Sequence, residues 1–276
     1  MSILLHLAAA GLYAALAAYF WRSRWNAAPA ARRGLSATER AVVLAALALH
    51  LWLLDEAMFV EGRMHFGFAL ALGTMVWLAA LIYWTESFFY QVDGMLALVL
   101  PLAAIGTLLP LFFPGAHLLK NFDSPTLRAH FLVAMLAYSL FTIAALHATV
   151  MAVLERRLRR GELNGEVGGA FAGLPPLLTM ERMLFRIVWI GFALLTVTLA
   201  SGILFSETLF GKPLAFNYKT VFAFLSWGIF AALLAGRQVY GWRGRSALRW
   251  TLAGFLALLL AYVGTRFVLE VILGRP

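Results

Sequence analysis

The sequence predicts an all-α, polytopic membrane protein: eight transmembrane helices in one bundle, with both termini outside the cytoplasm. Three observations carry this reading. Hydrophobic residues make up 63% of the 276 and charged residues only 13%, whereas soluble domains are about half apolar and a quarter charged. The apolar residues fall into runs of about 20, the length a helix needs to cross roughly 30 Å of hydrocarbon. The lysines and arginines collect in alternate connections, as cytoplasmic loops do. All of 1–276 is read as a single membrane domain.

The first run, 3–21, has no basic residue before it and Arg22, Arg24, Arg32, Arg33 and Arg40 after it. That order is the reverse of a cleavable signal peptide, so this helix is expected to stay, with its N-terminus outside. The second helix, about 41–54, ends at the acidic Asp55, Glu56 and Glu61, which suit an outward loop. The third covers about 66–84, and a loop with Glu86 and Asp93 but no Lys or Arg leads to the fourth, about 94–113. Pro101 and Pro110 should bend that helix and free carbonyls that its neighbours must satisfy.

After an outward loop, 114–126, the fifth helix spans about 127–154 and stops at Glu155-Arg156-Arg157-Leu158-Arg159-Arg160. This begins a cytoplasmic loop, 155–182, whose stretch 161–176 is glycine-rich and proline-terminated. Helix 6 (about 183–205), an outward loop (206–217), helix 7 (about 218–236), the basic loop 237–249 and helix 8 (about 250–273) complete the chain. Fifteen of the 22 cations lie in 22–40, 155–186 and 237–249; six lie on the outward side and Arg266 lies within helix 8. The net charge of +9 is therefore topology rather than a nucleic-acid surface. In a bacterium this is a multi-pass inner-membrane protein embedded in lipid.

Zero cysteines exclude disulfides, thiolate metal sites, iron–sulfur clusters and covalent haem attachment to this chain. No Walker loop, Rossmann fingerprint, H-E-x-x-H or G-x-S-x-G is present, which leaves nucleotide-driven transport and the commoner hydrolases unsupported.

Ionisable groups inside the membrane need a reason. His50 precedes the acidic end of helix 2 by five residues and His130 lies in the first turn of helix 5. Both are expected near the outer boundary, where two imidazoles at one depth would suit a six-coordinate haem iron. The bland alternatives are a histidine bonded to a backbone carbonyl for His50 and an interfacial one for His130. His65 and His117 fall in outward loops as solvated residues or replacement ligands, and His6 and His147 read as structural. Arg266 and Glu270 are spaced i, i+4, so they can pair and snorkel, or Arg266 can answer a propionate. Lys219 offers a second cation at the same level.

From helix 5 onward the sequence resembles the cytochrome c assembly (CcsA/CcmC/HemX-like) family of haem-handling membrane proteins, most closely its short YpjD/HemX branch. The region of resemblance is about 41–273. The segments are Ala129-His130-Phe131 through Ala137-Tyr138, Leu174 to Arg182, Leu194-Leu195-Thr196 through Ser201-Gly202-Ile203-Leu204-Phe205, Tyr218-Lys219-Thr220 through Trp227, Tyr240 to Arg245, and Ala261 to Arg266.

The resemblance implies an eight-helix bundle that binds haem b non-covalently and passes it toward apocytochrome c or other maturation components on the outer side. By position it makes His130 an external haem ligand, His50 a histidine within the bundle, and Lys219 the lysine that follows a tryptophan-rich W-x-W-D signature. At that signature the chain has Leu214, Phe216 and Asn217 instead. Leu273 stands where full-length members place a second external histidine, and about Ala235 where they have one in helix 7.

The expected function is haem binding without catalysis, followed by transfer. The alternative is a haem-free scaffold or regulatory subunit that kept the fold. A solute transporter is weaker, because no internal repeat or paired interrupted helices are visible.

Overall fold

The computed structural model describes residues 2–25, 34–61, 63–89, 93–114, 117–119, 122–161, 177–204 and 217–274. Among them are eight helices long and apolar enough to cross a membrane. They are α1 (Ser2–Phe20, continued by a π turn, Trp21–Trp25), α2 (Ala37–Met58), α3 (Phe68–Glu86), α4 (Asp93–Phe112), α5 (Pro125–Arg159), α6 (Leu177–Leu204), α7 (Tyr218–Tyr240) and α8 (Arg245–Ile272). The all-α polytopic reading stands.

The helices outrun their apolar runs. The start of α2 is set by a capping box, in which the Glu39 amide donates to Ser36 Oγ at 3.2 Å and the Ser36 amide to Glu39 Oε2 at 2.7 Å. At its other end, Asp55 and Glu56 occupy the last turn rather than a loop. Ser124-Pro125 opens α5 two residues early, placing His130 in the second turn, and Arg156, Arg157 and Arg159 close it, where cations meet the negative helix end. The loop expected over 155–182 is thus helical at both ends, while the stretch 162–176 lies outside the described residues. Helix α4 runs through Pro101 and Pro110 without a break.

Two of the connections also hold structure that hydropathy does not reveal. Strands β1 (Phe59–Val60), β2 (Arg63–Phe66) and β3 (His117–Leu118) pair antiparallel in the order β1-β2-β3. Phe59 lies opposite Met64, and Phe66 opposite His117.

Two groups of helices meet at the contact of α3 with α5. Helix α1 packs on α2 and α4, and α3 on α2 and α4; α5 packs on α6 and α8, and α7 on α6 and α8. Glycines permit the close approaches. In the first group, a Cβ at Gly106 would run into the Val76 side chain, and one at Gly73 would come within 3.3 Å of the Gly106 carbonyl. In the second group, the fully buried rings of Phe141 and Phe230 stack at 3.9 Å. A Cβ at Gly191 would meet Phe141 at 3.1 Å, and one at Gly254 would meet Phe230 at 2.8 Å. A ladder of glycine, two rings and glycine therefore joins α6, α5, α7 and α8.

Hydrogen bonds to backbone carbonyls add to this packing, since hydrocarbon offers no other partner. Trp77 and Trp84 of α3 donate to Leu47 and Arg40 of α2, both at 2.9 Å. Tyr138 and Ser226 donate to Leu258 and Gly254 of α8 at 3.0 and 2.9 Å.

Candidate functional site

Three of the four predicted site residues come together at one end of the second helical group. His130 Nδ1 lies 2.8 Å from Ser201 Oγ on α6, and its Cε1 faces Gly202. Lys219 enters from the first turn of α7, which Asn217 caps by accepting from the Thr220 amide at 3.1 Å. Its Nζ lies 4.8 Å from the centre of the Tyr262 ring and close enough to His130 to act on it electrostatically. Arg266 lies close enough to Tyr262 and Lys219 to act on both electrostatically. Its Nε is buried and has no hydrogen-bond partner among the described residues. Glu270 interacts with Arg266 and accepts from the Phe68 amide at 3.4 Å, tying the end of α8 to the start of α3.

Local structure explains this convergence. Helix α8 is α-helical to Leu259, then takes two π turns, Leu260–Gly264 and Val268–Ile272, on either side of Thr265–Phe267. Each π turn adds a residue to the helical circuit, a device that recurs at functional sites. Tyr262 lies in the first and Arg266 between them. Phe66 of β2, fully buried, sets its ring 4.6 Å from Phe131 and 5.8 Å from Tyr262. The sheet thus supplies an aromatic wall from a segment that hydropathy had left as a loop. Ser201, Tyr262 and Phe131 fall within the segments that carry the family resemblance, but nothing in the sequence assigns them contacts to His130 or Lys219.

The fourth residue, His50, has other surroundings. It is 1% exposed and packs against Tyr13 of α1, with ring centres 5.6 Å apart. Its Nε2 would lie 3.8 Å from a Cβ at Gly73 of α3. Among the described residues neither ring nitrogen has a hydrogen-bond partner, nor does the buried Tyr13 hydroxyl. His50 thus packs within the first helical group and His130 within the second, with no neighbour in common among these contacts.

The remaining histidines differ. His147 Nδ1 is 2.9 Å from the Tyr83 hydroxyl and 3.1 Å from the Ile143 carbonyl, as a structural core histidine should be. His6 is buried on α1 and lines a cleft of about 570 Å³ with Glu56 and Pro110. His65 is half-buried in β2, its Nδ1 3.2 Å from the Arg63 carbonyl, and His117 lies in β3. The positions matched to missing family groups are ordinary here: Ala235 and Leu273 are exposed, and 214 and 216 lie outside the described residues.

The cluster has the chemistry to take an anion. Two cations lie near each other there with one nearby carboxylate, and a buried guanidinium N–H is left to donate, an arrangement that a carboxylate ligand can complete. Among the described residues no group of three His, Asp or Glu side chains gathers to hold a bare metal ion. One oriented imidazole suits instead a metal that brings its own equatorial donors, as a porphyrin iron does.

Comparison with known proteins shows the family. The family model described as cytochrome C assembly protein matches residues 35–273. The inner membrane protein YpjD of Escherichia coli strain K12 is 33% identical over 181 residues, covering 64% of this chain and 65% of YpjD. A 28.8 kDa protein of the nifR3-like 5′ region of Azospirillum brasilense is 30% identical over 236 residues, 81% of each chain. The cytochrome c biogenesis protein CcsA of Prochlorococcus marinus strain MIT 9515 is 28% identical over 169 residues, 56% of this chain and 54% of CcsA. No solved structure matches the chain. The family match spans all but the first helix and the last three residues, and on that extent the chain belongs to the cytochrome c assembly protein family.

Proposed function

We propose that the protein binds haem b non-covalently at the outer cluster, with His130 toward the iron and Lys219 and Arg266 toward the propionates, and hands it on in cytochrome c maturation. The observation that carries this reading is the meeting of Lys219 and Arg266, from two helices, at Tyr262, with His130 of a third helix within electrostatic reach of Lys219. Haem would supply the redox-active iron. The chain's own part is to orient the imidazole through Ser201, answer carboxylates with two cations and wall the site with Phe66, Phe131 and Tyr262. The complete lack of cysteine fits non-covalent retention.

Membership of the family, together with a YpjD relative named as an inner membrane protein, supports placement in a bacterial inner membrane; the gathering of arginines at the opposite end of the bundle favours the outer side for the cluster. Apocytochrome c or another maturation component is the partner this role requires. His50 is assigned to a separate position within the bundle, where its two unpartnered nitrogens can serve a second ligand.

The test is the absorption spectrum of the full chain purified from haem-replete cells. A Soret band that His130→Ala removes or shifts, at unchanged protein level, is the expected result. Colourless parent protein would overturn the reading and leave the haem-free scaffold. A spectrum altered only by His50→Ala would move the site into the first helical group.

A further inference from the structure

At the opposite end of the bundle, where α5 ends and α8 begins, a cleft of about 440 Å³ opens between the two helices. Arg156, Arg159 and Arg160 line it from α5, Arg245 and Arg249 from α8, and Glu155 is its one acidic lining residue. That carboxylate is engaged by Arg159, whose Nη2 and Nε donate to Glu155 Oε1 at 2.8 and 3.1 Å. The floor is apolar, formed by Ala152, Leu248 and Leu252.

Retention of positive charge on one side of a membrane explains the sign of these residues but not their arrangement. Cations spread over a solvated loop would serve topology equally well. Here five guanidiniums from two segments far apart in sequence face one cavity. The volume is in the range that takes a drug-sized ligand, more than a bare inorganic anion needs.

The cleft also lies at headgroup depth. Trp250, next to Arg249, has its ring 5.2 Å from Trp242, which in turn stacks at 6.4 Å on Tyr240. Amphipathic aromatic rings gather at that level of a bilayer. A ligand that satisfies all three features has a negative head, an apolar body and access from the bilayer.

We propose that this cleft is a binding site for an anionic phospholipid of the adjoining leaflet. The phosphate lies among Arg156, Arg245 and Arg249, and an acyl chain follows the Ala152, Leu248 and Leu252 floor. The lipid would join the end of α5 to the start of α8, the two helices that carry His130 and Arg266 at their other ends.

Native mass spectrometry of the full chain, exchanged into mixtures of phosphatidylglycerol and phosphatidylcholine, tests this. The parent should retain phosphatidylglycerol in preference to phosphatidylcholine. A cation beside an anionic headgroup contributes about fivefold in affinity, so Arg156→Gln and Arg249→Gln should each lower retention about that much and the double variant tenfold or more. Arg182→Gln, at the same end of the bundle but outside the cleft, should leave it unchanged. Equal retention of the two lipids, an equal loss in Arg182→Gln, or displacement of the lipid by inorganic phosphate alone would each overturn the proposal. The single variants keep the test decisive if the double variant fails to accumulate.

Discussion

A buried neutral imidazole has one N–H to donate and one lone pair to fill, and the histidines of this chain meet that demand differently. His147 finds the Tyr83 hydroxyl and a carbonyl of its own helix, and His130 finds Ser201. His50 finds no partner for either nitrogen, and each buried polar atom left unmade costs about 1–3 kcal/mol. In ligand-free protein, His50→Leu should therefore melt at or above the parent temperature, since it removes two unmade bonds at similar volume. A clear fall in a thermal melt would reveal a partner for His50.

For His130 the prediction reverses. Removing an outer hydrogen bond to a metal-ligating histidine typically lowers affinity about 10- to 100-fold, so Ser201→Ala should weaken haem retention by that order while leaving protein level unchanged. Arg266→Lys keeps the charge but loses the planar fork, and it should lower haem retention without affecting insertion. Retention equal to the parent would make Arg266 structural. His130, Lys219 and Arg266 stand out in the sequence as candidates because their residue types are those of ligands and counter-ions. Ser201 does not, because a hydroxyl in an apolar helix usually bonds a carbonyl of the preceding turn, as Thr196 and Thr198 do and as Ser201 itself does by donating to Thr198 at 3.0 Å, which leaves its oxygen to accept from His130.

At the scale of the helices, the two ends of the bundle are held by interactions that hydropathy cannot see. Glu181, expected in a cytoplasmic loop, is buried in α6 and accepts from Arg237 Nη1 at 2.6 Å. The same Arg237 atom donates to the Trp242 carbonyl at 3.1 Å, and its guanidinium lies 4.5 Å from the centre of the Phe185 ring. Arg237, also expected in a loop, is in the last turn of α7. Polar turns that continue a helix past the hydrocarbon carry no apolar signal, which is why the span count was legible and the ends were not.

Breaking a buried pair by deleting one partner costs about 3–5 kcal/mol, and the Arg237 side chain, 23% exposed, is partly screened. Glu181→Ala should therefore destabilise by an amount at or below the lower end of that range, read from thermal unfolding in detergent. The phenylalanine ladder gives a sharper outcome. Gly254→Ala places a methyl where Phe230 now lies, and overpacking a filled core costs about 1–3 kcal/mol, so this variant should melt lower than Gly228→Ala, whose site has open space. Equal melting temperatures would show that Phe230 shifts without cost.

For the molecule as a whole, one signal in the sequence fixes orientation and a different one fixes packing. The eight spans follow from apolar length, and the joining of two helical groups through α3 and α5 follows from glycine and aromatic positions whose partners are remote in sequence. Orientation rests on charge. Arg156, Arg159, Arg245 and Arg249 meet at one end of the bundle, while His130, Lys219 and Arg266 meet at the other, so the two groups of cations must face opposite sides of the membrane. The arginine-rich end is expected to be cytoplasmic, because Lys and Arg in short loops are retained there during insertion. A cytoplasmic reporter fused after Arg160 or Arg245 should then be active, and one fused after Pro276 should report an external position. Arg266 lies toward the C-terminal end of α8, so the Pro276 fusion reports the side of the His130 cluster. An internal signal from the Pro276 fusion would invert the bundle, place His130 in the cytoplasm and remove the proposed delivery of haem to the outer side.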